Sequence, residues 1–220
     1  MVDIFDEIDE ELRAEKAEQL LKRYSGVIVA SALLVLAVVG GWQGWEWWQT
    51  RRDASVAAAF VAATSAADAT AIADPAVRQT LGSAFDALAA GAPDGYRTLA
   101  LLRSAALKAD ADDLNGAIAL WDRVAADGSA DPLLRDLATL MWAQRQIDQG
   151  DAARLEARLK PLTEPANAWR ALAQEQLALL DLRQGHTDEA KVGFTKLSQD
   201  VTAPAGVRSR AAALLSRFGA

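Results

Sequence analysis

The chain of 220 residues contains no cysteine and one histidine. Without cysteine it has no disulfide, thiolate metal ligand, cysteine nucleophile or lipoprotein attachment, and the redox compartment stays undetermined. The lone histidine, His186, follows Gly185 in a polar stretch, and no second histidine is present to share a metal with it. We interpret His186 as a turn residue, and we expect no metal site, no cofactor and no catalytic residue.

The chain also has few basic residues and lacks the motifs of common enzyme sites. Lys and Arg number 23 against 30 Asp and Glu, and the formal net charge of -7 argues against nucleic acid as the main partner. There is no glycine-rich phosphate loop and no serine beside a plausible base in a recognisable motif. Alanine and leucine dominate outside one apolar run, which favours helices over sheets. The composition predicts an all-α protein that is not an enzyme.

Residues 24–45 form a long run without charge. As a helix these residues would reach about 33 Å, enough for a hydrocarbon core of about 30 Å. The run shows no polar stripe, which argues against a buried helix of a soluble domain. The preceding segment is acidic, and tryptophans stand where a cleavage site needs small residues, which argues against a removable signal peptide. We predict an uncleaved transmembrane helix over 24–48.

The residues that flank the run predict its orientation. Four tryptophans stand at the end of the run, as is typical of an interfacial belt: Trp42, Trp45, Trp47 and Trp48. Tyr24 stands at the other boundary. Arg13, Lys16, Lys22 and Arg23 precede the run, whereas only Arg51 and Arg52 follow closely. This excess of basic residues favours an N-terminus in the cytoplasm. Residues 53–220 would then lie outside the cytoplasm, which in a bacterium is the periplasm.

Two features of the N-terminal part leave alternatives open. In the cytoplasmic acidic tail, 1–23, apolar residues fall on one side of a helix: Ile4, Phe5, Ile8 and Leu12. This tail is either a solvated helix or a short docking helix for a partner.

Within the run, Gly40 and Gly44, with Ala37 and Gly41, form a face of small residues. That face either contacts another helix, including that of a second copy, or faces lipid.

Residues 49–95 are predicted to form a helical connector between the span and a repeat domain. An alanine-rich stretch after Asp53 would continue the span as a helix, and a second helix would begin at Pro75 and end near Gly91. Further helices are predicted to begin near Pro132, Pro165 and Pro204. We therefore place the repeat domain at 96–220, closed by a lone helix over 204–218.

The repeat domain shows one pattern three times. A turn residue is followed five positions later by a small or apolar residue, and four positions after that by a bulky one: Gly150, Leu155 and Leu159; Gly185, Ala190 and Phe194; Asp112, Ala117 and Trp121. Small residues recur similarly in the preceding helices, at Ala105, Ala143 and Ala178. The period is close to the roughly 34 residues of a tetratricopeptide unit. We predict an α-solenoid of degenerate tetratricopeptide-like helix pairs, with a plain helical bundle as the alternative.

The acidic tail "MVDIFDEIDEELRAEKAEQLLKRY", the single span and the degenerate repeats together resemble the ancillary SecYEG translocon subunit family. The resemblance covers the full chain in architecture, and its most specific elements are the tail and the span. It implies an inner-membrane protein with a tetratricopeptide-like periplasmic domain, associated with the export channel and with periplasmic chaperones. It implies no catalytic residues.

This resemblance predicts a membrane-anchored scaffold whose partners are translocon subunits, periplasmic chaperones or exported clients. The alternative is a tetratricopeptide scaffold of another envelope assembly, such as cell division or cytochrome maturation.

Three tryptophans also suggest binding, since this residue is enriched in interaction hot spots. Trp121 is at a packing position and is expected in the core, Trp142 and Trp169 remain undecided, and we assign none of them to a site.

Overall fold

A computed structural model describes the backbone of residues 3–70 and 74–218, and the side chains of 26, 27, 29–31, 33–68 and 74–218. Of the described residues, 84% are helical and none is in a strand. The described helices are α1 (Asp3–Thr70), α2 (Pro75–Gly91), α3 (Asp94–Asp110), α4 (Leu114–Ala126), α5 (Pro132–Gln146), α6 (Ala152–Leu159), α7 (Arg170–Arg183), α8 (Thr187–Gln199) and α9 (Ala205–Phe218). The all-α prediction is confirmed.

Contacts divide the chain into two units, Met1–Ala54 and Ser55–Ala220. The described part of the first unit is helical throughout, and its large apolar side chains are exposed, for example Leu36 at 67% and Trp42 at 75%. Among the described residues, α1 is the one helix long and apolar enough to cross a membrane, with its candidate span within Val29–Asp68. The side chains of the acidic tail lie outside the described residues.

The second unit is built from helix pairs, and several of its helices begin with a local start signal. Four aspartates cap helix N-termini through their side chains: Asp74, Asp113, Asp131 and Asp151. In α5, for example, Asp131 Oδ1 accepts from Leu133 N at 2.8 Å, and Pro132 occupies the first helical position. Such caps satisfy backbone N–H groups that lack a partner within the helix, so these four helix starts are specified locally.

The pairs α3 with α4, α5 with α6 and α7 with α8 pack in series, and α9 closes the array against α8. All nine residues predicted at the crossing and filling positions are buried: Ala105, Ala143, Ala178, Ala117, Leu155, Ala190, Trp121, Leu159 and Phe194. The degenerate repeats predicted from the sequence are therefore confirmed as a tetratricopeptide-like solenoid. The closing helix is confirmed at Ala205–Phe218, with Val207 and Ala211 buried.

Small residues at the crossing and a left-handed residue in the turn allow the two helices of a pair to pack closely. A Cβ added at Gly193 of α8 would lie 2.9 Å from the Cβ of Ala178 in α7, so the two helices touch where both residues are small. Gly185 in the preceding turn has a φ of 83°, and Asp112 in the equivalent turn has a φ of 63°. Aspartate tolerates this left-handed conformation better than most residues, which explains how Asp112 replaces the repeat glycine.

Polar contacts join each pair to the one before it, at sequence separations close to one repeat. Arg145 Nη2 lies 3.0 Å from Asp110 Oδ1, 35 residues earlier, and Arg158 Nη1 lies 2.6 Å from Asp122 Oδ1, 36 residues earlier. Arg103 pairs with Asp68 at the same separation of 35. These contacts link consecutive pairs at positions about one repeat apart.

One predicted helix start is wrong. Pro165 lies in a turn after a 3₁₀ segment, Lys160–Thr163, and α7 begins only at Arg170. Asn167 Oδ1 accepts from Trp169 N at 2.8 Å, while its Nδ2 donates to Asp136 Oδ2 at 2.7 Å. The chain is thereby bound to α5 before the helix can begin.

The segment assigned to a connector packs like part of the repeat unit. The continuation of the span as a helix and the second helix from Pro75 to Gly91 are both present. Phe60 of α1 meets Phe85 of α2 at a ring separation of 5.7 Å, and Phe85 is fully buried in the core cluster that also contains Trp121. By contacts, therefore, residues 55–95 go with the helices that follow, and the division at 23, 48 and 95 stays a prediction.

Candidate protein-interaction groove

A groove of about 620 Å³ lies among α5, α7 and α9. All its lining residues come from these three helices, and none comes from α6 or α8. In a solenoid of helix pairs, one helix of each pair lines the extended concave surface that binds partners. The lining residues are Gln144, Leu172, Glu175, Gln176, Leu179, Arg210, Ala213, Leu214 and Arg217.

The groove has two facing stripes that follow from helical spacing. On α7 the stripe runs Leu172, Glu175, Gln176 and Leu179, and on α9 it runs Arg210, Ala213, Leu214 and Arg217. Both sets have the spacing i, i+3, i+4, i+7, which places four side chains on one face of a helix. Each stripe therefore combines apolar surface with polar groups, as ligand sites commonly do.

An ion pair joins the two stripes. Arg210 Nε lies 2.7 Å from Glu175 Oε1, and Nη2 lies 2.6 Å from Oε2, so the guanidinium binds the carboxylate through two parallel bonds. These hydrogen bonds raise the pKa of Arg210 above its usual range. The Glu175 side chain is only 4% exposed, whereas that of Arg210 is 56% exposed. The carboxylate is thus neutralised inside the wall while the arginine remains open to the groove.

Arg217 adds a positive charge that the described residues do not neutralise. It is exposed and has no acidic partner in the part of the chain that the structure describes. Because Glu175 is already paired with Arg210, the lining carries one net positive charge. A positively charged groove in a chain with a net charge of -7 favours an acidic partner over a basic one.

One further polar group of the lining is buried without a partner. Gln176 is 4% exposed, and its Oε1 accepts no hydrogen bond from the described residues. A buried acceptor without a donor typically costs about 1–3 kcal/mol, so such groups are few in native proteins. This oxygen is buried inside the wall of the groove and is not open to it.

Comparison with known families supports the repeat assignment. The model of the tetratricopeptide repeat-like domain family matches residues 18–202, most of the chain. The chain belongs to that family. No curated protein and no solved structure gives a significant match. Tetratricopeptide-like domains are generally non-enzymatic scaffolds for protein interactions.

The three tryptophans of this tetratricopeptide-like unit lie outside the groove. Trp121 and Trp142 are each 1% exposed and belong to the core. The guanidinium carbon of Arg158 stands 4.2 Å from the centroid of the Trp142 ring, and that of Arg154 stands 5.0 Å away. Trp169 is half-buried, and its indole Nε1 donates to Leu133 O at 2.9 Å, which joins the start of α7 to α5.

Within the described residues, no cluster of acidic or histidine side chains could hold a metal ion. His186 is exposed in the turn before α8, as the interpretation of a turn residue expects. The surface of the described unit that combines apolar side chains with charged ones is the groove.

The spacing of the sequence indicates that Glu175 and Gln176 are buried, although the search for motifs did not single them out. In "RALAQEQLALL" Gln176 lies four residues after Leu172 and three before Leu179, on an apolar stripe. Glu175 has the same relation to Ala171 and Ala178. Polar residues at such positions are expected to be buried, and buried polar residues need partners or a function. The partner of Glu175 lies 35 residues away, so spacing alone could not identify it.

Proposed function

We propose that this protein is a membrane-anchored, non-enzymatic interaction scaffold and an accessory subunit of the SecYEG translocon, which it links to periplasmic chaperones or clients. The observation that carries the scaffold role is the groove among α5, α7 and α9, which is apolar, positively charged and open. Membership of the tetratricopeptide repeat-like family supports the same role.

The proposed anchor is the apolar part of α1. Its large aliphatic side chains are exposed in the described chain, and a lipid environment would remove this apolar surface from water. At its end, the guanidinium carbon of Arg51 lies 4.1 Å from the ring centroid of Trp47, and that of Arg52 lies 5.7 Å from that of Trp48. Tryptophan and arginine together suit the zone between hydrocarbon and water.

The translocon assignment rests on the resemblance of the acidic tail and span, and the orientation on the basic residues before the span. In this orientation the tail faces the cytoplasm, and the groove faces the periplasm. Bound partners would then be held close to the outer side of the export channel. Such tethering raises the effective concentration of a weakly bound partner without any additional contact.

Affinity purification of the full chain tests this proposal. The tagged protein is extracted from its native membranes in mild detergent, and co-purified proteins are quantified against an untagged strain. Enrichment of the channel subunits of the translocon is the expected result. A variant that lacks residues 1–20 but keeps the span controls for tail-dependent binding. Enrichment of a cell-division or cytochrome-maturation assembly, without the channel, would contradict the translocon assignment.

A further inference from the structure

At the end of the uncharged run, one face of α1 places a carboxylate beside two indole rings. A cleft of about 500 Å³ on this face is lined by Trp42, Trp45, Glu46 and Gln49. Their spacing of i, i+3, i+4, i+7 puts the four side chains on one side of the helix. All four residues are exposed, so the cleft is open to the medium that surrounds α1.

Glu46 is the charged group of this cleft, and the described residues supply no cation for its carboxylate. The two arginines that follow lie outside the cleft, with Arg51 over the Trp47 ring and Arg52 over the Trp48 ring. The faces of indole rings attract cations, and a carboxylate attracts a cation more strongly where water is partly excluded. A positively charged group therefore complements the cleft.

A second cleft adjoins the first one. It has a volume of about 280 Å³ and is lined by Val38, Val39, Trp42, Gln43 and Glu46. The two clefts thus share Trp42 and Glu46. The valines belong to the uncharged run, whereas Gln49 lies beyond its end at residue 45. The joined clefts are apolar toward the proposed span and polar away from it, which is the order of acyl chain and head group in a phospholipid.

From these features we infer that the two clefts bind one phospholipid whose head group carries a primary ammonium, as phosphatidylethanolamine does. The ammonium pairs with Glu46 and lies against the rings of Trp42 and Trp45. The upper part of an acyl chain covers Val38 and Val39. This inference rests on the proposed anchor, because lipid head groups surround these residues only if α1 spans the membrane.

The polar groups of the cleft select among lipid head groups. A primary ammonium donates three hydrogen bonds, and the Glu46 carboxylate and the Gln49 amide oxygen can both accept one. A choline head group also suits the indole rings but has no hydrogen to donate. A phosphatidylglycerol head group has no cation and brings its phosphate charge close to Glu46, which is unfavourable.

Native mass spectrometry of the full chain in detergent tests the inference. The probes are phosphatidylethanolamine, phosphatidylcholine and phosphatidylglycerol with identical acyl chains, each titrated separately, and the dissociation constant of the first bound lipid is measured. We expect phosphatidylethanolamine to bind about tenfold more tightly than either of the other two lipids, a factor that corresponds to about 1.4 kcal/mol.

Glu46→Gln and Trp42→Leu should each reduce this preference to about twofold or less. Asp53→Asn removes the same charge from α1, at a position about 10 Å farther along the helix axis, and serves as the matched control. It should leave the tenfold preference unchanged. Circular dichroism should show the same helical content in all three variants, because neither Trp42 nor Glu46 is buried in the described chain.

Equal affinities of the parent chain for the three lipids, or an unchanged preference in Glu46→Gln, would overturn the inference. Loss of a co-purified membrane protein from Glu46→Gln, when the parent shows no lipid preference, would also overturn it, in favour of a basic side chain of another protein as the cation. Alkaline extraction of membranes tests the anchor separately. An extracted chain contradicts the proposed anchor, whereas a retained chain without lipid preference contradicts this inference alone.

Discussion

Arg210 on α9 binds both carboxylate oxygens of Glu175 on α7, across a sequence separation of 35 residues. The pair connects the last helix pair to the closing helix, and both of its residues line the groove. Its carboxylate is almost fully buried, whereas its guanidinium is half exposed. The contribution of this pair to stability and its contribution to binding can therefore be separated by substitution.

Arg210→Met should destabilise a soluble fragment of residues 55–220 by at least about 1–3 kcal/mol, because it leaves a buried charged acceptor without its donor. The double variant Glu175→Leu with Arg210→Met should recover much of this loss, since apolar residues of similar volume commonly replace a buried ion pair at little cost. Urea denaturation monitored by circular dichroism measures both. A single variant as stable as the parent fragment would contradict the role of the pair.

Ala143→Trp and Ala178→Trp should each destabilise the same fragment by about 1–3 kcal/mol or more, because both alanines are buried where helices cross and a larger side chain overpacks the site. Thermal unfolding measures the loss. Arg158→Ala cannot serve as a neutral control, since Arg158 pairs with Asp122 and covers the Trp142 ring.

Val192→Ala, on the exposed side of α8, is the better control for these two variants and should stay within about 0.5 kcal/mol of the parent. Melting temperatures equal to that of Val192→Ala for both tryptophan variants would contradict the repeat register.

The proposed orientation of the chain predicts the behaviour of reporter fusions. Alkaline phosphatase fused to the C-terminus should be active, because this reporter folds only after export, and a cytoplasmic reporter at the same point should be inactive. The mature protein should also keep residues 1–23, as N-terminal sequencing would reveal. The reverse pattern of reporter activity would refute the periplasmic location.

The small residues of the proposed span predict a helix contact that can be disrupted without loss of the proposed anchor. Outside the backbone of α1 itself, no described residue has an atom within 4 Å of a Cβ added at Gly40 or Gly44, so both sites have room for a partner helix. Gly40→Ile with Gly44→Ile should weaken co-purification of that partner, since the larger side chains prevent close approach. Membrane insertion should persist, because isoleucine is at least as apolar as glycine. Unchanged recovery of every partner would show that this face contacts only lipid.

The local parts of the fold could be predicted from the sequence because they depend on nearby residues. Helix starts at Pro75 and Pro132 and the buried positions Ala143, Leu155 and Phe194 follow from spacing and capping. The helix start predicted near Pro165 is wrong because Asn167 forms a turn that is bound to Asp136, a contact across 31 residues of sequence. The groove could not be predicted for the same reason, since it requires α7 and α9 to meet and Arg210 to reach Glu175.

The most direct test of the scaffold account is photo-crosslinking in intact cells from the groove itself. A photoreactive amino acid is placed at Ala213, which is exposed and lines the groove, and in a separate strain at Val192, which is exposed on α8 outside it. The account predicts crosslinks to periplasmic chaperones or exported polypeptides from position 213, and few from position 192. Equal crosslinking from the two positions, or none from position 213, would contradict the claim that this groove is the surface through which the protein binds its partners.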